Sequence, residues 1–161
     1  LDYYRTAEGL HEAQQHAFRR HVAMAVELDK ALVIHDRDSH DDVLALLDAV
    51  TVPERVVFHC FSGDEAMARH CAERGWFMSF AGPITYKAND GLRAALRAVP
   101  DELLLVETDA PYLTPVPERG RPNASYLMPH TVRAMAAERG VDEGALCTLL
   151  YDNAMRAFGA W

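Results

Sequence analysis

Two histidines and an aspartate stand at the carboxyl ends of three short apolar runs in this chain. His35 follows residues 31–34, His59 follows residues 56–58, and Asp109 closes the run of residues 103–109. Imidazole nitrogens and carboxylate oxygens are suitable ligands for Zn²⁺, Mn²⁺ and similar divalent ions. One histidine at such a position is more often a hydrogen-bonded core residue, but two histidines with an acid at equivalent positions reverse that preference. The pattern therefore predicts a metal site.

The apolar runs themselves predict strands, because they are too short for buried helices and rich in β-branched residues. Candidate strand ends at residues 35, 59, 82 and 109 are separated by 24, 23 and 27 residues, and each gap holds one helical pattern. That alternation is typical of parallel βα units, whose strands end at one shared edge. Since an eightfold barrel takes about 250 residues, these units amount to roughly half of one.

Further polar residues are expected near the same edge. Glu107 lies two residues before Asp109, so an extended strand would direct both carboxylates to one side. A carboxylate buried there without a cation would be costly. Ser62 and Gly63 follow His59 and offer backbone donors to an anion, although a capping box formed by Ser62 with the glutamate three residues later explains them equally well.

A Pro-rich segment after Asp109 carries two arginines, Arg119 and Arg121, followed by Asn123. Guanidinium groups pair with phosphate oxygens in a bidentate geometry, which suits a phosphodiester substrate. Because the segment follows a strand that ends at the predicted metal site, we expect it to overhang that site. A solvated surface loop is the competing interpretation.

Composition limits the partners. The chain has 161 residues and a formal net charge of -8, which argues against an extended basic surface for nucleic acid. No apolar run approaches the roughly 20 residues of a membrane-spanning helix, and the three cysteines show no Cys-x-x-Cys spacing. We expect a single domain over residues 1–161 in the cytoplasm, without membrane association.

Taken in order, a series of short segments resembles the TatD family of metal-dependent deoxyribonucleases, and the resemblance extends over essentially the whole chain. The segments are Leu1-Asp2-Tyr3-Tyr4-Arg5, Gln14 with Phe18, Val33-Ile34-His35-Asp36-Arg37-Asp38, Phe58-His59-Cys60-Phe61-Ser62-Gly63, Ser79-Phe80-Ala81-Gly82, Glu107-Thr108-Asp109-Ala110-Pro111-Tyr112-Leu113, Arg119-Gly120-Arg121-Pro122-Asn123 and Asn153-Ala154. Ser125 departs from the family, which commonly has proline after Asn-x.

The resemblance implies an α/β fold of the (β/α)8 TIM-barrel type, here only its C-terminal part, from the end of strand 4 through strand 8 plus the terminal helices. It implies His35, His59 and Asp109 as ligands of one or two divalent ions, Mg, Mn or Zn. The family's His-x-His on the first strand and its bridging glutamate on the fourth have no counterpart in this sequence.

The implied activity is hydrolysis of DNA phosphodiester bonds, by 3'-5' trimming of single strands. In that interpretation Asp109 also orients water as a base, and Glu107 contacts the metal ligands without binding the ion itself. The phosphate contacts come from five residues: Arg119, Arg121, Asn123, Ser62 and Gly63.

Two other interpretations stay open. One keeps the metal but changes the bond, to an amide, a lactone or an aminoacyl ester such as that of aminoacyl-tRNA. The other is a catalytically silent chain, because part of a ligand set binds metal weakly. Such a chain would associate with itself through its exposed strand edges.

Overall fold

Residues 1–159 are described by the computed structural model, and within them four parallel strands alternate with helices. The strands are β1 (Leu32–Ile34), β2 (Val56–Phe58), β3 (Phe77–Phe80) and β4 (Leu104–Val106). They lie in the sheet in chain order, and each pairs in parallel with the next. This arrangement confirms the parallel βα units predicted from the sequence.

The helices surround the strands in the expected alternation. One precedes β1, one lies between each pair of successive strands, and two follow β4. They are α1 (His11–Glu27), α2 (His40–Asp48), α3 (Glu65–Glu73), α4 (Asp90–Ala98), α5 (Met128–Arg139) and α6 (Glu143–Phe158). Short 3-10 turns occupy Glu8–Leu10, Gly82–Thr85, Asp101–Leu103 and Ser125–Leu127.

The start of α3 differs from the expectation. Asp64 caps the helix, since its side chain accepts a hydrogen bond from the amide of Met67 at 2.9 Å. The capping box predicted at Ser62 is therefore wrong. A carboxylate satisfies a free amide at a helix start as well as a hydroxyl does, so both residues were suitable by type.

The sheet has two distinct faces, because successive side chains of a strand point in opposite directions. Ile34, Phe58, Met78 and Leu104 are fully buried, and the strand register places them together on one face. They belong to a single hydrophobic cluster that runs from Leu1 to Ala157.

The opposite face borders a cavity of about 350 Å³. Val33, Val57 and Leu105 line it, and Val33 remains 53% exposed. His59 and Glu107 line the same cavity two residues further along their strands. The predicted metal site therefore lies at the carboxyl edge of this second face.

Candidate metal centre

Backbone hydrogen bonds continue past the strand ends and fix the backbone at His59 and Glu107. The amide of His59 donates to the carbonyl of Ile34 at 3.1 Å, and the amide of Glu107 donates to the carbonyl of Phe80 at 3.0 Å. These bonds extend the parallel ladder by one residue on β2 and on β4. The backbone at both site residues is therefore as well anchored as the strands themselves.

The two imidazole rings predicted as ligands face each other. His35 Nδ1 lies 3.1 Å from His59 Nε2, and the ring centroids are 5.4 Å apart. Metal–nitrogen bonds of about 2.0–2.1 Å place two nitrogens of one ion about 2.8–3.4 Å apart, for angles between octahedral and tetrahedral. The observed separation fits two ligands of one ion.

Each imidazole has a carboxylate at its other nitrogen. His59 Nδ1 lies 2.9 Å from Glu107 Oε1, and His35 Nε2 lies 3.1 Å from Asp2 Oδ2. A neutral imidazole that donates to a carboxylate keeps its lone pair on the opposite nitrogen. In that tautomer both lone pairs point into the same 3.1 Å gap, and either a proton on one of the two nitrogens or a bound metal ion removes their repulsion. The gap is therefore suited to a positive charge.

Asp109 approaches His59 and Glu107 by a route that differs from the expected strand. β4 ends at Val106, and Asp109 has a φ of 55°, so an extended strand through Asp109 is a wrong prediction. Aspartate tolerates this left-handed conformation better than most residues. Its carboxylate nevertheless lies within 4.8 Å of ligand atoms of His59 and Glu107.

Proximity alone would make Glu107 the third ligand in place of His35, because His59, Glu107 and Asp109 form the compact group. Hydrogen bonding decides otherwise. Glu107 Oε1 accepts from His59, and Oε2 accepts from the amide of Cys60 at 3.0 Å. Both oxygens of Glu107 are thus engaged, and Glu107 orients His59; His35 Nδ1, which faces His59 Nε2, is the better ligand.

The charges at the centre are tuned by these contacts. Burial opposes ionisation of Glu107, but hydrogen bonds from His59, Ser79 and the Cys60 amide outweigh it and lower the Glu107 pKa. The bond to Glu107 raises the pKa of His59 against the effect of burial, with help from the charge of Asp109. Burial and the same two carboxylates raise the pKa of the Cys60 thiol to about 12. The thiol stays neutral, and the two carboxylates favour a cation.

The segment with the two arginines packs next to the 3-10 turn that follows β3. The Arg119 guanidinium lies over the Tyr86 ring, with Cζ 4.1 Å from the centroid. Arg121 is exposed and pairs with Glu118 at 3.0 Å. Both guanidiniums therefore keep exposed nitrogens, because stacking uses the face of Arg119 and a single carboxylate engages Arg121.

Asn123 is placed differently from the arginines. It is 6% exposed, and its amide nitrogen donates to the carbonyls of Thr108 and Tyr112, both at 2.7 Å. These bonds tie the segment to the chain around Asp109. Both amide hydrogens are engaged within the protein, so Asn123 positions the loop in this structure.

Ser62 and Gly63 lie at the loop before α3. Ser62 is exposed, and its hydroxyl is 3.4 Å from the carbonyl of Asp36, on the loop after His35. Gly63 is buried, and a Cβ there would lie 2.3 Å from Met67 Sδ and 2.8 Å from Phe61 Cζ. A side chain at this position would displace the ends of the Met67 and Phe61 side chains.

Sequence reasoning missed two groups around His35. One is Asp2, for which the sequence predicts no role beyond its place in a matching segment. His40 Nδ1 contacts Asp36 Oδ2 at 2.6 Å, and Ser39 Oγ donates to Asp36 Oδ1 at 2.8 Å. The available signal was the spacing of an acid and a histidine four residues apart at the start of a helix.

Comparisons with known proteins show the family of the chain. The family model for TatD related DNase matches residues 1–159. The chain belongs to this family. Among the TatD relatives, the "uncharacterized metal-dependent hydrolase TatD" of Mycobacterium tuberculosis is 47% identical over 148 residues, which are 91% of this chain and 55% of the relative. The "3'-5' ssDNA/RNA exonuclease TatD" of Citrobacter rodentium is 37% identical over 155 residues, which are 92% of this chain and 59% of the relative.

Solved TatD structures show the same fold. The crystal structure of YJJV, a TatD homolog from Escherichia coli, matches with a TM-score of 0.93 at 25% identity and covers 100% of this chain and 62% of its own. The chain thus spans little more than half the length of the TatD relatives it matches. Within residues 1–159, none of the helices combines the length and apolar character needed to cross a membrane.

Proposed function

We propose that this protein is a divalent-metal-dependent hydrolase that removes nucleotides from the 3' end of single-stranded DNA. The observation that carries the proposal is the 3.1 Å approach of His35 Nδ1 to His59 Nε2, with the Asp109 carboxylate within 4.8 Å of a ligand atom of His59. Membership of the TatD family supports the chemistry, and the name of the Citrobacter rodentium relative supports the substrate.

The proposal includes the architecture of the whole protein. Four parallel strands in chain order are what one half of a (β/α)8 barrel supplies, and we place them as its C-terminal part. This chain covers 55% to 62% of the length of matched relatives, which supports a part of a larger barrel. Further ligands from the other half would complete the coordination begun by His35, His59 and Asp109.

The ion, Mg²⁺, Mn²⁺ or Zn²⁺ and one or two in number, would supply Lewis acidity to the phosphate and acidify water. The protein's own groups then have separate tasks. Asp109, half-buried at the edge of the site, accepts a hydrogen bond from the attacking water and takes its proton. Glu107 keeps its negative charge and holds the Nδ1 hydrogen of His59, so that Nε2 stays a ligand.

Charge that develops on the phosphate oxygens is met by Arg119 and Arg121. Stacking on Tyr86 restrains Arg119 without using its hydrogen-bond donors, so the donors are pre-oriented for phosphate. Ser62 and the amide of Gly63 lie on the loop after His59 and are assigned to a flanking phosphate. Asn123 takes part indirectly, because it holds the arginine segment in place.

The test is cleavage of a 5'-labelled single-stranded oligonucleotide by the intact metal-loaded protein. Progressive shortening from the 3' end is expected, and Asp109→Asn should reduce the rate about 10²- to 10⁴-fold. The double variant Arg119→Ala/Arg121→Ala should lose roughly 10²-fold or more. The matched control is Arg19→Ala/Arg20→Ala, which removes two exposed charges from α1. An uncut oligonucleotide would contradict the proposal.

A neutral ester substrate, assayed in parallel, distinguishes phosphodiester hydrolysis from the alternative of ester or amide hydrolysis. If the protein hydrolyses the ester, and the Arg119/Arg121 double variant does so equally well while DNA stays intact, the substrate is an ester or amide. If the Arg119→Ala/Arg121→Ala variant and its Arg19→Ala/Arg20→Ala control cleave DNA equally fast, Arg119 and Arg121 have no part in phosphate binding. Either result replaces the proposed assignment of the loop.

A further inference from the structure

Asp2 is held in place by an unusually complete set of contacts for a residue outside regular secondary structure. Its amide donates to Gln14 Oε1 at 2.9 Å, and its carbonyl accepts from Gln14 Nε2 at 3.0 Å. One side chain of α1 thus satisfies both backbone groups of Asp2. Asp2 also forms a parallel bridge with Arg37, which ties it to the loop after β1. The backbone of Asp2 is consequently rigid relative to His35.

The carboxylate of Asp2 is oriented as well as its backbone. Oδ1 accepts the amide of Arg5 at 3.0 Å, which leaves Oδ2 directed at His35 Nε2, 3.1 Å away. The side chain of His35 is 51% exposed, whereas that of Asp2 is 25% exposed. An exposed imidazole without such a partner would rotate and change tautomer freely. Asp2 restrains both motions.

A second carboxylate performs the same task on the neighbouring ring. Glu107 contacts His59 Nδ1 at 2.9 Å, so each imidazole has one carboxylate behind it and one nitrogen facing the other ring. The two carboxylates contact different ring nitrogens: Asp2 contacts Nε2 of His35, and Glu107 contacts Nδ1 of His59. With these partners, His35 Nδ1 and His59 Nε2 face each other.

We propose that Asp2 is a positioning residue, which keeps the hydrogen of His35 on Nε2 and turns Nδ1 toward the metal. The inference rests on the metal site of the proposed function, and it goes beyond that site by giving a role to a residue that binds neither metal nor substrate. Partners of this kind change metal affinity about 10- to 100-fold when they are removed. Gln14 acts one step further out, through the backbone of Asp2.

The experiment compares Asp2→Ala with Asp2→Asn in the intact protein. Asparagine keeps an oxygen that can accept the Nε2 hydrogen, whereas alanine removes it. Asp152→Asn removes an equal charge from an exposed position on α6 and is the control. Zn²⁺ affinity, measured against a competing chelator, should fall about 10- to 100-fold in Asp2→Ala and much less in Asp2→Asn. The control should bind as the wild type does.

A second readout needs no metal. Nitrogen-15 NMR of the metal-free protein at about pH 8.5, where an unperturbed imidazole is neutral, distinguishes the two tautomers. The His35 signal, assigned with His35→Gln, should show hydrogen on Nε2 in the wild type and in Asp2→Asn. Asp2→Ala should shift it toward the Nδ1 tautomer. Wild-type affinity and an unchanged tautomer in Asp2→Ala would overturn the inference.

The Gln14→Ala variant and the measurement on metal-free protein distinguish a role of Asp2 from a loss of folding or of metal binding. If Asp2→Ala reduces the folded fraction, Gln14→Ala removes only the clamp on the Asp2 backbone and should shift affinity and tautomer in the same direction by less. If the wild type binds no divalent ion at His35 and His59, the proposed function fails. The tautomer measurement on metal-free protein still decides the role of Asp2.

Discussion

Gly82 offers a way to displace the arginine segment without touching the metal centre. It follows β3 and is buried against the chain after Asp109. A Cβ at this position would lie 1.8 Å from the carbonyl oxygen of Leu113 and 3.0 Å from the nitrogen of Pro115. Both are backbone atoms that cannot rotate away. Gly82→Ala therefore requires a shift of the backbone itself.

The size of that shift follows from the distances. Cβ contacts under 3.0 Å essentially never occur, so the Leu113 carbonyl must retreat by at least about 1.2 Å. The shift is passed on to Arg121, because Thr114 Oγ1 donates to the Arg121 carbonyl at 2.6 Å. A displacement of about 1 Å in a group that positions substrate costs about 10²-fold in rate. Overpacking adds a destabilisation of about 1–3 kcal/mol.

The assay is kcat/KM on single-stranded DNA, with Zn²⁺ affinity and urea unfolding measured on the same preparations. Gly82→Ala should lose about 10²-fold in kcat/KM while metal affinity stays at the wild-type value. Gly91→Ala is the matched control, since nothing lies within 4 Å of its Cβ position and alanine favours helix α4 by about 0.5–1 kcal/mol. Wild-type kcat/KM in a folded Gly82→Ala would refute the packing argument, and loss of metal affinity would refute the separation of loop and metal centre.

Three further predictions concern stability, each measured by urea unfolding with chelator present. The hydrogen bond to Asp36 raises the pKa of His40 against the effect of burial, so the pair's stabilisation is full below the ordinary imidazole pKa and is lost as pH rises through the folded value. His40→Asn should therefore be more destabilising at about pH 6 than at about pH 9, and an equal effect at both would contradict the pairing. Asp64→Ala should cost about 1 kcal/mol and Ser62→Ala almost nothing, whereas equal costs would mean that Asp64 is not the cap of α3. Asn153→Ala leaves the carbonyls of Asp101 and Leu104 without the amide donor that serves both, and a cost of about 1–3 kcal/mol is expected, with Asp152→Ala as a near-neutral control.

The strands were predictable because their signal is local. β1 to β4 all fall within apolar runs that the sequence shows directly, and the one-helix spacing between them forces a parallel arrangement. The N-cap of α3 was predicted wrongly because neighbouring residues of suitable type compete for that position. Asp64 and Ser62 are both suitable caps by residue type, and the structure has Asp64 accepting the Met67 amide.

The site was predictable to the extent that parallel strands share an edge. His35 and His59 were expected to approach each other because each directly follows a strand, and His35 Nδ1 lies 3.1 Å from His59 Nε2. The contact of Asp2 with His35 joins residues 33 positions apart through the side chain of Gln14. No periodicity or spacing encodes such a contact. The turn at Asp109, with its φ of 55°, likewise depends on the packed loop that follows it.

The central claim is that His35 Nδ1, His59 Nε2 and the Asp109 carboxylate bind one ion. Anomalous diffraction from crystals of the intact protein grown with Zn²⁺ tests it most directly. We expect a peak about 2.0–2.2 Å from these three groups, with Glu107 still hydrogen-bonded to His59 Nδ1. A peak coordinated by Glu107 and His59 Nδ1 with His35 turned away, or no peak near the two imidazoles, would contradict it.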